Sequence, residues 1–96
     1  MKVRYTDPAS FDLERAVSYF LVHAPASASA FADSIDAAVA RLRENPYAFQ
    51  ETDTPGTRRA YLRRFRYSII YTIEGEEVVI LHIRHAARRW PWEQKR

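Results

Sequence analysis

The sequence predicts an α+β domain in the order β-α-α-β-β-β, with an antiparallel helical hairpin packed on one face of a small, mainly antiparallel sheet. Three observations carry this. Apolar residues recur near the helical period up to Leu42 and alternate with a period of two from Tyr67 onward. Proline stands where each helical pattern stops, at Ala24-Pro25 and Asn45-Pro46. Two β-rich runs flank the short Glu74-Gly75-Glu76 segment, the signature of a β-hairpin. Helices that precede strands, rather than alternating with them, place the helical layer on one sheet face.

Taken in order, Val3 to Tyr5 is a short β-prone segment. Asp7-Pro8 then starts a helix: Asp7 is suited to cap free backbone N–H groups, and Pro8 fits the first helical position. Leu13, Val17, Phe20 and Leu21 recur at helical spacing and predict one stripe on the core. A second helix follows, with Ser27 or Ser29 as its expected cap. Its stripe is Phe31, Ile35, Ala38, Val39 and Leu42.

Tyr47 to Thr57 contains Pro55-Gly56 and polar residues, and reads as a loop. Arg58 to Leu62 is a plausible strand. Tyr67 to Ile73 is a strong one, with Tyr67, Ile69, Tyr71 and Ile73 on one face, and Glu77 to His85 is another. The far face of the sheet is then left to arginine and histidine. No linker or repeat divides residues 1–96, which read as one domain.

The composition agrees with a packed core: 47% of the 96 residues are hydrophobic and 14% aromatic, too many for a disordered segment. There is no cysteine, which excludes disulfides and thiolate zinc sites. With two glycines there is no glycine-rich phosphate cradle. The charged N-terminal residues do not read as a signal peptide, and the apolar run at Val78 to Leu81 is far too short to span a bilayer. A cytoplasmic protein with no membrane contact is expected.

The formal charge of +3 hides an asymmetry. Residues 1–57 hold five Lys/Arg against eight Asp/Glu, and residues 58–96 hold ten against four. Arg58, Arg59, Arg63, Arg64 and Arg66 fall within nine residues of one another. Scattered arginines usually do no more than solvate a strand face. A cluster this dense is the footprint of a surface that meets phosphate or an acidic protein.

Read together, the residues resemble the RelE/ParE toxin superfamily, and the ParE branch more than the RelE branch. The resemblance rests on Ala9, Asp12 and Leu13 in the first helix, Asn45-Pro46 after the second, and Arg59 with Leu62. It continues through Tyr67-x-Ile69-x-Tyr71, Val79-Ile80-Leu81, and His85 followed by Arg88, Arg89 and Trp90. It implies the toxin half of a type II toxin–antitoxin module, with a cognate antitoxin as partner. Operator DNA would be met only indirectly, through the antitoxin complex.

Three activities follow from the resemblance. A ParE-like toxin inhibits DNA gyrase without catalysis of its own, and its contact surface here would be Arg59, Arg63, Arg64, His85, Arg88, Arg89 and Trp90. A RelE-like toxin cuts mRNA on the ribosome, with Arg64 and Arg84 holding phosphate and His85 moving the proton. In that reading Trp90 or Tyr67 would stack a base. A degenerate, non-toxic member would survive through its antitoxin complex.

The residues favour binding over cutting. The only lysines, Lys2 and Lys95, are terminal, and Arg84 and His85 point to opposite faces of an alternating strand. Taken alone, His85 reads first as a strand-end residue that hydrogen-bonds there and anchors the tail. His82 reads as structural or surface, and His23 as a cation at a helix C-terminus. Asp12 and Glu14 read as carboxylates near a helix N-terminus. No histidine and carboxylate pair has metal-ligand spacing, so neither metal nor cofactor is expected.

Overall fold

The computed structural model describes residues 1–87. Strand β1 (Lys2–Tyr5) leads into helix α1 (Asp7–His23), which Ala24 alone separates from helix α2 (Pro25–Glu44). A 3-10 turn (Pro46–Ala48) follows, then strands β2 (Gln50–Glu51), β3 (Thr57–Leu62), β4 (Tyr67–Glu74) and β5 (Glu77–His85). The sheet order is β1-β5-β4-β3-β2. Only β1 runs parallel to its neighbour, pairing Lys2 with Glu77 through Tyr5 with Ile80. The helical hairpin covers one face, as the sequence predicts.

The caps differ from expectation. Thr6, not Asp7, caps α1: its hydroxyl oxygen accepts the Ala9 N–H at 3.1 Å. Asp7 lies inside the first turn, where a carboxylate still favours the helix dipole. Neither Ser27 nor Ser29 caps α2, because Pro25 already occupies its first position. The expected loop after Asn45 holds the 3-10 turn and β2, which pairs Gln50 with Arg59 and Glu51 with Arg58. The order is therefore β-α-α-β-β-β-β in a mixed sheet.

Between the layers lie Phe31, Ile35, Ala38 and Leu42 from α2, and Leu62, Tyr67, Ile69, Tyr71, Val78, Ile80 and Ile83 from the sheet. Each is essentially buried, and burial of a side chain this large stabilises by about 1.5–3 kcal/mol. Phe20, Phe31, Phe65 and Tyr67 form an aromatic cluster in this layer, with Phe20 and Phe31 stacked at 4.7 Å. From α1, Leu13, Val17 and Phe20 pack against the core as predicted. Leu21 does not: it is 58% exposed, since the face of α1 that meets the sheet runs through Ala9, Asp12 and Ala16.

One irregularity shapes the site. Ile70 pairs with His82 and Tyr71 with Ile80, so Leu81 is an extra residue in β5. Such a bulge re-aims the side chains beyond it. It occurs just where β1 ends and stops covering the β5 edge.

Candidate functional site

Beyond Tyr5, where β1 ends, the outer edge of β5 has no strand partner among the described residues, and Thr6 and α1 supply replacements. Thr6 donates its N–H to the Ile80 carbonyl at 3.0 Å, and its hydroxyl lies 3.0 Å from the same oxygen and 3.3 Å from that of Leu81. Asp12 accepts the Ile83 N–H at 3.0 Å through Oδ2. The same oxygen lies 3.2 Å from Nδ1 of His82. Asp12 is 4% exposed, and its Oδ2 has polar partners in both the Ile83 N–H and the His82 ring.

This pair is what the sequence reading missed. Asp12 is explained by the sheet edge, not by the start of the helix. Its signal was present: Ala9, Asp12 and Ala16 recur at helical spacing, which puts an acid on a buried stripe.

His82 lies on the sheet face away from the helices. Arg59, Ile70 and His82 stand side by side across β3, β4 and β5, with Ser68 and Arg84 in the next row. Arg59, His82 and Arg84 line a cavity of about 450 Å³ together with Ile70, Leu81 and the Thr52–Thr57 loop. Arg84 and His85 keep the alternation expected of them. The His85 ring packs on the helix-covered side, edge-on to buried Tyr67 at 5.1 Å, and its Nδ1 accepts the Ala87 N–H at 3.0 Å.

The five clustered arginines separate into three roles. Arg58 is structural: it donates to the Phe49 carbonyl at 2.6 Å and the Tyr47 carbonyl at 3.2 Å, and pairs with Glu51 at 3.2 Å. It thereby holds the segment between α2 and β3 against the sheet. Arg59 faces the open side. Arg63, Arg64 and Arg66 are exposed at the β3–β4 turn, where the Arg64 guanidinium lies 4.9 Å from the Phe65 ring centre. Arg64, Arg84 and His85 therefore do not gather on one face. Tyr67, 1% exposed, is not placed to stack a base. Arg88, Arg89 and Trp90 lie outside the described residues.

Among the described residues, no three His, Asp or Glu side chains form a group that could hold a metal ion. Burial raises the Tyr71 phenol above its ordinary pKa of 10.0, against an opposing effect of Arg58, and its hydroxyl donates to the buried Pro46 carbonyl at 2.6 Å. The Tyr5 phenol is raised by burial and further by Asp36. Neither ring belongs to the open face.

Fold and surface define a small mixed sheet backed by a helical hairpin, with Arg59, His82 and Arg84 on the face away from the helices and three arginines at one turn. The chain belongs to the ParE toxin family of the parDE type II toxin–antitoxin system, whose family model matches residues 3–90. It is similar to a chain of the chromosomal ParDE toxin–antitoxin system of P. aeruginosa, at 27% identity and a TM-score of 0.78, over 88% of this chain and 95% of that one. A chain of the RelBE2 toxin–antitoxin complex of Mycobacterium tuberculosis is 27% identical with a TM-score of 0.61, covering 91% and 92%. The isolated E. coli RelE toxin, at 12% identity, shares the fold with a TM-score of 0.65 over 96% and 90%. No curated protein sequence matches significantly.

Proposed function

We propose that this ParE-family toxin acts by inhibiting DNA gyrase, and hence DNA replication, and that a cognate antitoxin neutralises it. The observation that carries the reading is the separation of Arg84 from His85. The first lines the open-face cavity, and the second is held against Tyr67 on the other side of the sheet. Phosphate binding and proton transfer need their groups within hydrogen-bond reach of one reacting centre, and these residues do not share one. A toxin that acts by contact needs no such convergence.

The contact surface proposed runs from Arg59 on the open face to Arg63 and Arg64 at the β3–β4 turn, extended along the sequence by Arg88, Arg89 and Trp90. His85, expected with them, packs against Tyr67 on the other side of the sheet and does not share a face with Arg59. An antitoxin partner is supported by the ParDE and RelBE systems that this chain resembles. Phe11, Leu21 and Val22, at 44%, 58% and 73% exposure, are apolar side chains on α1 that an amphipathic partner segment would cover.

The test is to induce the protein alone and follow DNA supercoiling and mRNA integrity in parallel. Gyrase-linked DNA breaks with intact mRNA are expected. Rapid mRNA cleavage with gyrase untouched would overturn the reading.

A further inference from the structure

The β3–β4 turn joins strain, rigidity and uncompensated charge. Three described residues have positive φ: Gly56 at 82°, Gly75 at 59° and Arg66 at 62°. Glycine adopts this left-handed region freely and an arginine does not. The chain thus uses glycine at two such positions and keeps a guanidinium at the third. An observed backbone outlier of this kind points to use of the side chain.

The turn is also braced. Arg66 donates its N–H to the Leu62 carbonyl at 2.8 Å, and its own carbonyl accepts the Ala86 N–H at 2.8 Å. Phe65 packs edge-on against the stacked Phe20 and Phe31 rings, with ring centres 5.5 Å from each. Arg63, Arg64 and Arg66 all stay exposed around this anchor. Among the described residues, ion pairs hold Arg4 and Arg58 but none holds these three. From Thr54 to Ile73 the sequence contains five arginines and no acid.

We propose that this turn binds the phosphate backbone of duplex DNA directly and without sequence preference, which goes beyond the gyrase reading and does not depend on it. Guanidinium forks match phosphate oxygens, and a braced turn presents them with little entropy left to lose. Single strands are gripped by stacking on exposed rings, and the one aromatic ring of this turn, Phe65, is partly buried against the core with the Arg64 guanidinium over it. Tyr61, exposed nearby, alternates with buried Ala60 and Leu62 and so belongs to the open sheet face. What remains at the turn is charge alone, the chemistry of backbone recognition.

The full chain is titrated with a fluorescent random-sequence duplex, the matching single strand and polyglutamate, over a series of salt concentrations. Duplex binding is expected to dominate. Each phosphate contact contributes about 0.9 to the slope of log affinity against log salt. Arg66→Gly is expected to lower that slope by about 0.9, and the Arg63→Gln/Arg64→Gln/Arg66→Gln variant by about 2.7. Arg41→Gln, on α2, leaves it unchanged.

The glycine variant makes the decisive comparison, since it relieves the backbone while deleting the charge. Its melting temperature is expected to hold or rise while duplex affinity falls. A wild-type slope in the triple variant overturns the proposal, as does preference for the single strand. Equal binding of polyglutamate overturns it in favour of an acidic protein. Gyrase poisoning with no duplex binding by the toxin alone also overturns it, and leaves the proposed function standing.

Discussion

The buried Asp12 side chain of α1 accepts the Ile83 N–H of β5 at 3.0 Å, so a helix side chain completes a sheet edge that no strand covers among the described residues. An edge donor in this position otherwise goes unsatisfied once α1 excludes water. Removing one partner of a buried hydrogen bond costs about 1–3 kcal/mol. Asp12→Ala is expected to lose that much in urea unfolding, and Asp12→Asn less, because an amide oxygen still accepts from Ile83. An alanine variant as stable as the wild type would show that the edge is satisfied some other way.

Arg58 and Arg59 are adjacent in sequence and opposite in role. Arg58→Ala removes two bonds to backbone carbonyls and the Glu51 pair, and is expected to cost about 1–3 kcal/mol. Arg59→Ala, on the exposed face, is expected to stay within about 0.5 kcal/mol of wild type. Thermal unfolding of the two single variants checks the contrast, and equal losses would refute it.

Tyr71 gives the fold an alkaline limit. Burial raises its pKa above the ordinary 10.0, so the unfolded chain releases the phenolic proton at lower pH than the folded one. The tyrosine's contribution is therefore full below pH 10.0 and is lost as the pH climbs towards the folded value. Tyr5, raised in the same sense, adds to the loss. Tyr71→Phe is expected to cost about 1–3 kcal/mol at neutral pH by orphaning the Pro46 carbonyl, and to flatten the decline above pH 10.0. Unfolding measured from neutral to strongly alkaline pH tests both.

Phe31 and Leu21 separate core from surface among residues the sequence treats alike. Phe31 is fully buried amid Phe20, Phe65 and Tyr67, and Phe31→Ala is expected to cost about 3–5 kcal/mol. Leu21→Ala is expected to change stability by no more than about 0.5 kcal/mol. Its effect belongs instead in antitoxin affinity, measured by calorimetry on the complex.

The helices and long strands were legible because local and global signals agree in them. Pro25 and Pro46 fix the helix ends whatever the tertiary context, and period-two alternation in Tyr67–Glu74 survives as one buried face. What escaped depends on contacts between distant residues. Two-residue β2 is too short to show a period and exists through its pairing with Arg58 and Arg59. The Leu81 bulge leaves no mark in an unbroken apolar run. Leu21 fits the helical stripe by spacing and lies beyond the part of the sheet that α1 covers. The candidate site was half legible. The arginine cluster stood out by density, but which member is structural is decided by carbonyls on a neighbouring loop, and Asp12 meets His82 only through the fold.

The parallel pairing of β1 with β5 has a consequence for synthesis. Lys2 sits beside Glu77 and Tyr5 beside Ile80, so β1 leaves the ribosome long before the strand it pairs with. Contacts this distant close slowly, because the entropy of the intervening loop must be lost before they stabilise anything. A nascent chain stopped anywhere before β5 lacks the central partner of β1 and of Asp12. Such fragments expose an unpaired strand edge, which makes them targets for proteolysis and aggregation.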